Sequence, residues 1–314
     1  MLGRTANGIF WMFRYLERAE NSARLLDAGF RMALMRGSRT DHEEWRSVLT
    51  TLGLQSRFAA AHAQTSRQAV INFILRERDN PGSVLNMVEH ARNNARSVRT
   101  AITREVWEAT NACWIELKQL LARPVRAREF FTVLSAIRRH ATLVRGAMEE
   151  TMLRNEIYNF ARLGTFLERA DNTARILDVK YYVLLPAVSW VGTNLDNVQW
   201  ETVLRSVSGE RAYRWLNAGA IDPRGIARFL ILDGRFPRSL AFCYGKLRSN
   251  LASLAEEYGE ETPAQELLYE AGTRLDQSSI EAIIAGGLHE FLTRFLADNR
   301  KFAEAIATNY RFAV

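Results

Sequence analysis

Met12, Leu16, Ala19, Ala23, Leu26 and Phe30 recur at spacings of three and four, the period of one face of an α-helix. The stripe predicts a helix from near Asn7 to near Arg36, ended at Gly37-Ser38, where glycine can take the left-handed conformation that closes a helix. Asp41 with Glu44 three residues later forms a capping-box pattern that opens a helix at Trp45. Ser83, after Pro81-Gly82, is placed to cap the next long helix. Phe130, Leu134, Ile137, Ala141, Val144 and Met148 make a further stripe, and Leu288, Phe291, Phe295, Phe302 and Ile306 make a C-terminal one. The alternation of a half-buried strand is nowhere sustained, so the fold class is all-α and the architecture an antiparallel helix bundle.

Part of this pattern occurs twice. Leu16-Glu17-Arg18-Ala19-Glu20-Asn21-Ser22-Ala23-Arg24-Leu25-Leu26-Asp27 returns as Leu167-Glu168-Arg169-Ala170-Asp171-Asn172-Thr173-Ala174-Arg175-Ile176-Leu177-Asp178, identical at 9 of 12 positions with an offset of 151. Trp45-x-x-Val48-Leu49 recurs as Trp200-x-x-Val203-Leu204, and Phe73 with Pro81-Gly82-Ser83-Val84 recurs as Phe229 with Pro237-Arg238-Ser239-Leu240, at offsets of 155 and 156. Three echoes in one order at nearly one spacing indicate a duplicated unit. We therefore expect two tandem helical units, 1–155 and 156–314, each of about five or six helices. A chain of 314 residues is long enough for two such cores.

Composition adds limits. Six prolines and no low-complexity tract leave no disordered linker in the pattern. The longest uncharged stretch, Tyr181 to Leu195, is shorter than the roughly 18 to 20 residues a membrane-spanning helix needs. No secretory pattern opens the chain, and Cys113 and Cys243 sit in helical contexts as packing thiols, so a cytoplasmic setting without membrane contact is expected. The net charge of +7 is uneven: residues 1–155 carry 24 Lys and Arg against 15 Asp and Glu, whereas 156–314 carry 18 against 20. The arginines of the basic half are spread at helical spacing rather than clustered, which disfavours nucleic acid as the partner.

What flanks the apolar stripe of the repeated motif is unusual. At 100° per residue, Glu17, Glu20, Asn21, Arg24 and Asp27 fall beside the stripe, as do Glu168, Asp171, Asn172, Arg175 and Asp178 in the second copy. Arg18 and Arg169 complete a Glu-Arg pair in each copy. A looser echo, Val88 to Arg96, repeats Glu89, Asn93 and Arg96 in register on another helix of the first copy and adds Arg92, whereas its own counterpart has Gly245 for Glu89 and Arg248 for Arg92. A merely solvated face has no need of the same residue type at each position, so recurrence points to fixed partners. Either a buried Glu/Arg/Asn network or a polar cleft for a ligand or partner supplies them.

The Leu-Glu-Arg-Ala-Glu/Asp-Asn-x-Ala-Arg runs, Ala91-Arg92-Asn93-Asn94-Ala95-Arg96-Ser97-Val98-Arg99 and Glu105-Val106-Trp107-Glu108 together resemble the bacterial alpha-E family of helical domains, over essentially the whole chain. The resemblance implies a domain that works beside, or fused to, an ATP-grasp protein, with transglutaminase-like and proteasome-like hydrolases in its neighbourhood. It therefore implies a part in making or modifying peptide or amide bonds, with an ATP-grasp protein as partner and a peptide as possible substrate. Asn93 stands where the family pattern has an acid.

Enzyme chemistry finds little footing. No Glu-x-x-His pair occurs, the arginines compete for the motif carboxylates, and His42, His62, His90, His140 and His289 are dispersed without a partner pattern, so neither metal nor cofactor is expected. Gly286-Gly287 reads as a turn or close helix contact. The leading expectation is a non-catalytic partner subunit of an ATP-grasp-type ligase. The alternatives are an enzyme using Glu17 and Glu168 for proton transfer with Arg24 and Arg175 on an anionic substrate, and a nucleic-acid-binding module.

Overall fold

A computed structural model describes residues 3–36, 41–183, 194–217 and 221–312, and no strand occurs among the described residues. The helices are α1 (Gly3–Arg36), α2 (Asp41–Thr51), α3 (Gln55–Ala61), α4 (Arg67–Leu75), α5 (Val84–Ser97), α6 (Arg104–Leu120), α7 (Phe130–Thr151) and α8 (Glu156–Val183). They continue as α9 (Asn194–Ser206), α10 (Glu210–Leu216), α11 (Pro223–Leu232), α12 (Leu240–Tyr258), α13 (Pro263–Asp276), α14 (Ile280–Ala285) and α15 (Leu288–Asn309). Packing divides the chain into two compact units, Met1–Thr165 and Phe166–Val314, with the boundary inside α8.

In the first unit, α1 lies antiparallel to both α5 and α7. Tyr15 stacks on His90 with ring centroids 5.3 Å apart, while Gly8 meets Val98 near the other end of α5. On the α7 side, Phe30 packs against Phe130 at 5.1 Å. The stripe that forms α1 is the cause: Met12, Leu16, Ala19, Ala23 and Leu26 are all buried. α6 runs antiparallel to α7, with Thr103 before its first turn hydrogen-bonded to Thr151 at 2.7 Å. Ser83 and Thr103 accept from the backbone N–H three residues on and start α5 and α6, and α2 with its buried Trp45 closes over Gly29. The beginning of α8 approaches α1 so closely that a Cβ on Gly164 would lie 2.3 Å from the Phe10 carbonyl oxygen.

In the second unit, α15 runs antiparallel to the rest of α8 and to α13. Asn299 donates to the Leu167 carbonyl at 3.2 Å, and Arg274 pairs with Asp298 at 2.6 Å. Ser239 caps α12, and Asp222, ahead of Pro223 in the first turn, caps α11. Gly287 enters α15 at φ +92°, making the Gly286-Gly287 pair a turn between α14 and α15.

Three details differ from the sequence expectation. α1 starts at Gly3 rather than near Asn7. Among the described residues seven α-helices precede α8 and eight run from it, more than five or six per unit, because α3, α10 and α14 last two turns or fewer and are too short to register a 3.6 period. His62, His140 and His289 each meet a single carboxylate, of Glu77, Glu116 and Asp178, that their dispersed spacing did not show. The stop expected at Gly37-Ser38, the capping side chain of Asp41 and most of the uncharged stretch from Tyr181 lie outside the described residues.

Candidate functional site

α1 carries its polar motif on the flank that meets α7, and this buries the acids. Glu17 and Glu20 are each 1% exposed and Asn21 is 3% exposed. The guanidinium of Arg145 on α7 reaches both carboxylates, 3.2 Å from Glu17 and 2.5 Å from Glu20. Arg24, one turn along α1, also pairs with Glu20. Further on, Asp27 pairs with Arg31 at 3.0 Å and with Arg138 of α7 at 3.1 Å. Two carboxylates removed from water need compensating cations, and α7 supplies one between them. Arg18 points to the half-exposed side of α1.

The second unit places the repeated residues differently. Glu168 is 1% exposed and Asn172 is buried, as in the first unit. Arg169 donates to the Pro237 carbonyl at 3.2 Å, and the Thr173 hydroxyl donates to the Arg238 carbonyl at 2.8 Å, tying α8 to the turn before α12. Asp171 pairs with Arg175 at 2.7 Å, but that guanidinium is 36% exposed, against 13% for Arg24. Asp178 meets His289 at 2.6 Å where Asp27 meets an arginine.

The echo on α5 faces α6 rather than α7. Glu89 pairs with Arg78 from the preceding turn, and Arg92 donates to Asn111 at 2.8 Å. Arg96 is exposed. The three acid-and-arginine runs thus serve separate local networks, and no group of three metal-ligating side chains occurs among the described residues.

Sequence reasoning missed Arg145 and Arg138, gave His289 no partner, and read Glu44, buried beside Trp45, only as a capping residue. A signal for the first two exists. Glu20 and Asp27 are seven apart, as are Arg138 and Arg145, so antiparallel helices in register bring the pairs together. In the second unit the rung is incomplete, with Leu296 seven residues after His289. His140, buried on α7, donates to Glu116 at 2.8 Å, and this bond holds the Glu116 carboxyl below its ordinary range. Both cysteines are free and buried, and burial pushes the Cys113 thiol up to about 12.

The geometry therefore offers charge networks built around one repeated Glu-Arg motif. Uncharacterised proteins from Mycobacterium bovis and from two strains of Mycobacterium tuberculosis are each 24% identical to this chain over 94% of its length. The chain spans about a third of the length of these relatives, 35% in each case. No solved structure matches it. The family model described as a predicted alpha-helical domain with a conserved ER motif matches residues 1–310, in which Glu17-Arg18 and Glu168-Arg169 are the Glu-Arg pairs of the repeated motif. The chain belongs to the Alpha-E family.

Proposed function

We propose that this chain is a non-catalytic helical subunit of an ATP-grasp-type peptide or amide ligase system, acting in the cytoplasm by holding the ligase or its peptide substrate. The observation that carries this reading is the length of the relatives: the region similar to this chain is only 35% of each, so the helical part there works joined to a larger remainder. The inward use of the motif agrees with it. Glu17 and Glu20 lie against Arg145 and Arg24, which suits carboxylates that register helices rather than ones poised for proton transfer. Recognition then falls to the outer helix faces.

We read the two units as tandem copies of one ancestral unit, joined near residue 155. In support, α1 and α8 each bury the first acid of the motif, Trp45 and Trp200 are both buried, and Ser83 and Ser239 cap α5 and α12 in the same way.

Affinity purification of the tagged chain from its native cells, followed by mass spectrometry, tests the reading. Recovery of an ATP-grasp protein is the expected result. Recovery of the chain with no such protein, under conditions where one is expressed, overturns it.

A further inference from the structure

We propose that the α5–α6 face of the first unit is a docking surface for an extended acidic peptide segment. The proposal rests on the reading of the chain as a binding subunit, but not on the identity of the ligase.

Trp107 and Trp114 are seven residues apart on α6 and so share a face. Each indole lies under two cations. Arg92 and Arg99 stand over Trp107 at 5.9 and 5.1 Å from the ring centroid, and Arg78 and Lys118 over Trp114 at 5.9 and 5.6 Å. Asn111 between them fixes Arg92 through a hydrogen bond of 2.8 Å. Arg96, one turn from Arg92 on α5, is exposed. From Trp107 to Lys118 the strip is about 16 Å long at the rise of an α-helix.

Of these five cations Arg78 has a carboxylate partner, Glu89; Arg92, Arg96, Arg99 and Lys118 have none among the described residues. Arg24, Arg31, Arg104, Arg138, Arg139 and Arg145 of the same half, by contrast, all meet acids. Contact with indole restrains long side chains that would otherwise lose rotamer freedom on binding, and it leaves their N–H groups available to an anion. Guanidinium forks match carboxylates in shape as well as charge.

Two observations favour a peptide over a nucleic acid. The indoles already carry cations, which competes with their use as platforms for stacked bases. Glu89 and the Arg104–Glu108 pair interrupt the strip, which repels a continuous run of phosphates. An extended peptide presents side chains on one side about every 7 Å and can set separate carboxylates against separate guanidiniums.

The test uses the full chain and fluorescence anisotropy, with labelled oligoglutamate and labelled oligothymidylate of equal charge at low and physiological salt. Oligoglutamate should bind more tightly than oligothymidylate and weaken as salt rises. Arg96→Glu with Arg99→Glu should weaken oligoglutamate binding by on the order of tenfold or more. Arg96→Gln with Arg99→Gln should fall between, and it decides the matter if the charge reversal disturbs the helical circular dichroism. Arg128→Glu, outside the strip, should bind as the wild type. Tighter binding of oligothymidylate, no oligoglutamate binding at low salt, or unchanged affinity in the Arg96 and Arg99 variants overturns the proposal. Neither probe needs a ligase, so this result stands apart from the purification experiment.

Discussion

Removing Arg145 is the sharpest perturbation of the motif network. Its guanidinium, 19% exposed, is set against two carboxylates that are each 1% exposed. Breaking a buried ion pair by deleting one partner costs about 3–5 kcal/mol, because the remaining charge keeps its desolvation penalty. Arg24 still faces Glu20 in the variant, so the loss from Arg145→Ala should lie near the lower end, about 3 kcal/mol. In a domain of this size each kcal/mol moves the melting temperature by about 2–4 °C, which gives a drop of roughly 6–12 °C by scanning calorimetry. Arg138→Ala, which removes a one-third-exposed guanidinium from Asp27, is the control and should cost about 1 kcal/mol or less. The quadruple variant Arg145→Met, Glu17→Gln, Glu20→Gln, Arg24→Gln should recover much of the loss, since it removes the charges together. An Arg145→Ala protein melting within about 2 °C of wild type would refute the buried-network reasoning.

The two motif copies should respond unequally: Arg24→Ala, at a largely buried guanidinium, should cost about 2–3 kcal/mol, and Arg175→Ala, at one 36% exposed, about 1 kcal/mol or less, as measured by urea unfolding. Gly164→Ala should destabilise by about 1–3 kcal/mol or more, since its Cβ would sit 2.3 Å from the Phe10 carbonyl oxygen and only a backbone shift can relieve it. The hydrogen bond from Arg205, against burial, holds Glu210 below its ordinary value of 4.5, so the folded state binds its proton less readily than the unfolded state. Its contribution is therefore present above pH 4.5 and lost as the pH falls through the lower folded value. Glu210→Gln should melt below wild type at neutral pH, with the gap closing in acid; a gap independent of pH would contradict that sign.

Legibility in the sequence followed the range of the interactions. The stripes of α1, α7 and α15 read directly, because one face buried along a long helix imposes its period on the residues, and the serine cap at Ser83 read for the same local reason. The burial of Glu17 and Glu20 was readable only as a geometric adjacency to the stripe, since α7 decides whether that flank meets water or Arg145. The repeat suggested equal roles for Arg24 and Arg175, yet their exposures differ because the packing around α1 and α8 is not the same. Short helices such as α3 and α14 left no periodic trace. The cation ladder over Trp107 and Trp114 was invisible because it joins residues from two helices and two turns.

ATP turnover by the recovered ATP-grasp protein, with and without this chain, tests the subunit reading most directly when Glu17→Gln is included beside the wild type. The expected result is that the chain alone hydrolyses no ATP, that the wild type stimulates the ligase with its peptide substrate, and that folded Glu17→Gln stimulates it as well, because Glu17 is a buried contact of Arg145. Turnover indifferent to the chain, or stimulation abolished by Glu17→Gln in a protein that melts like the wild type, would contradict it.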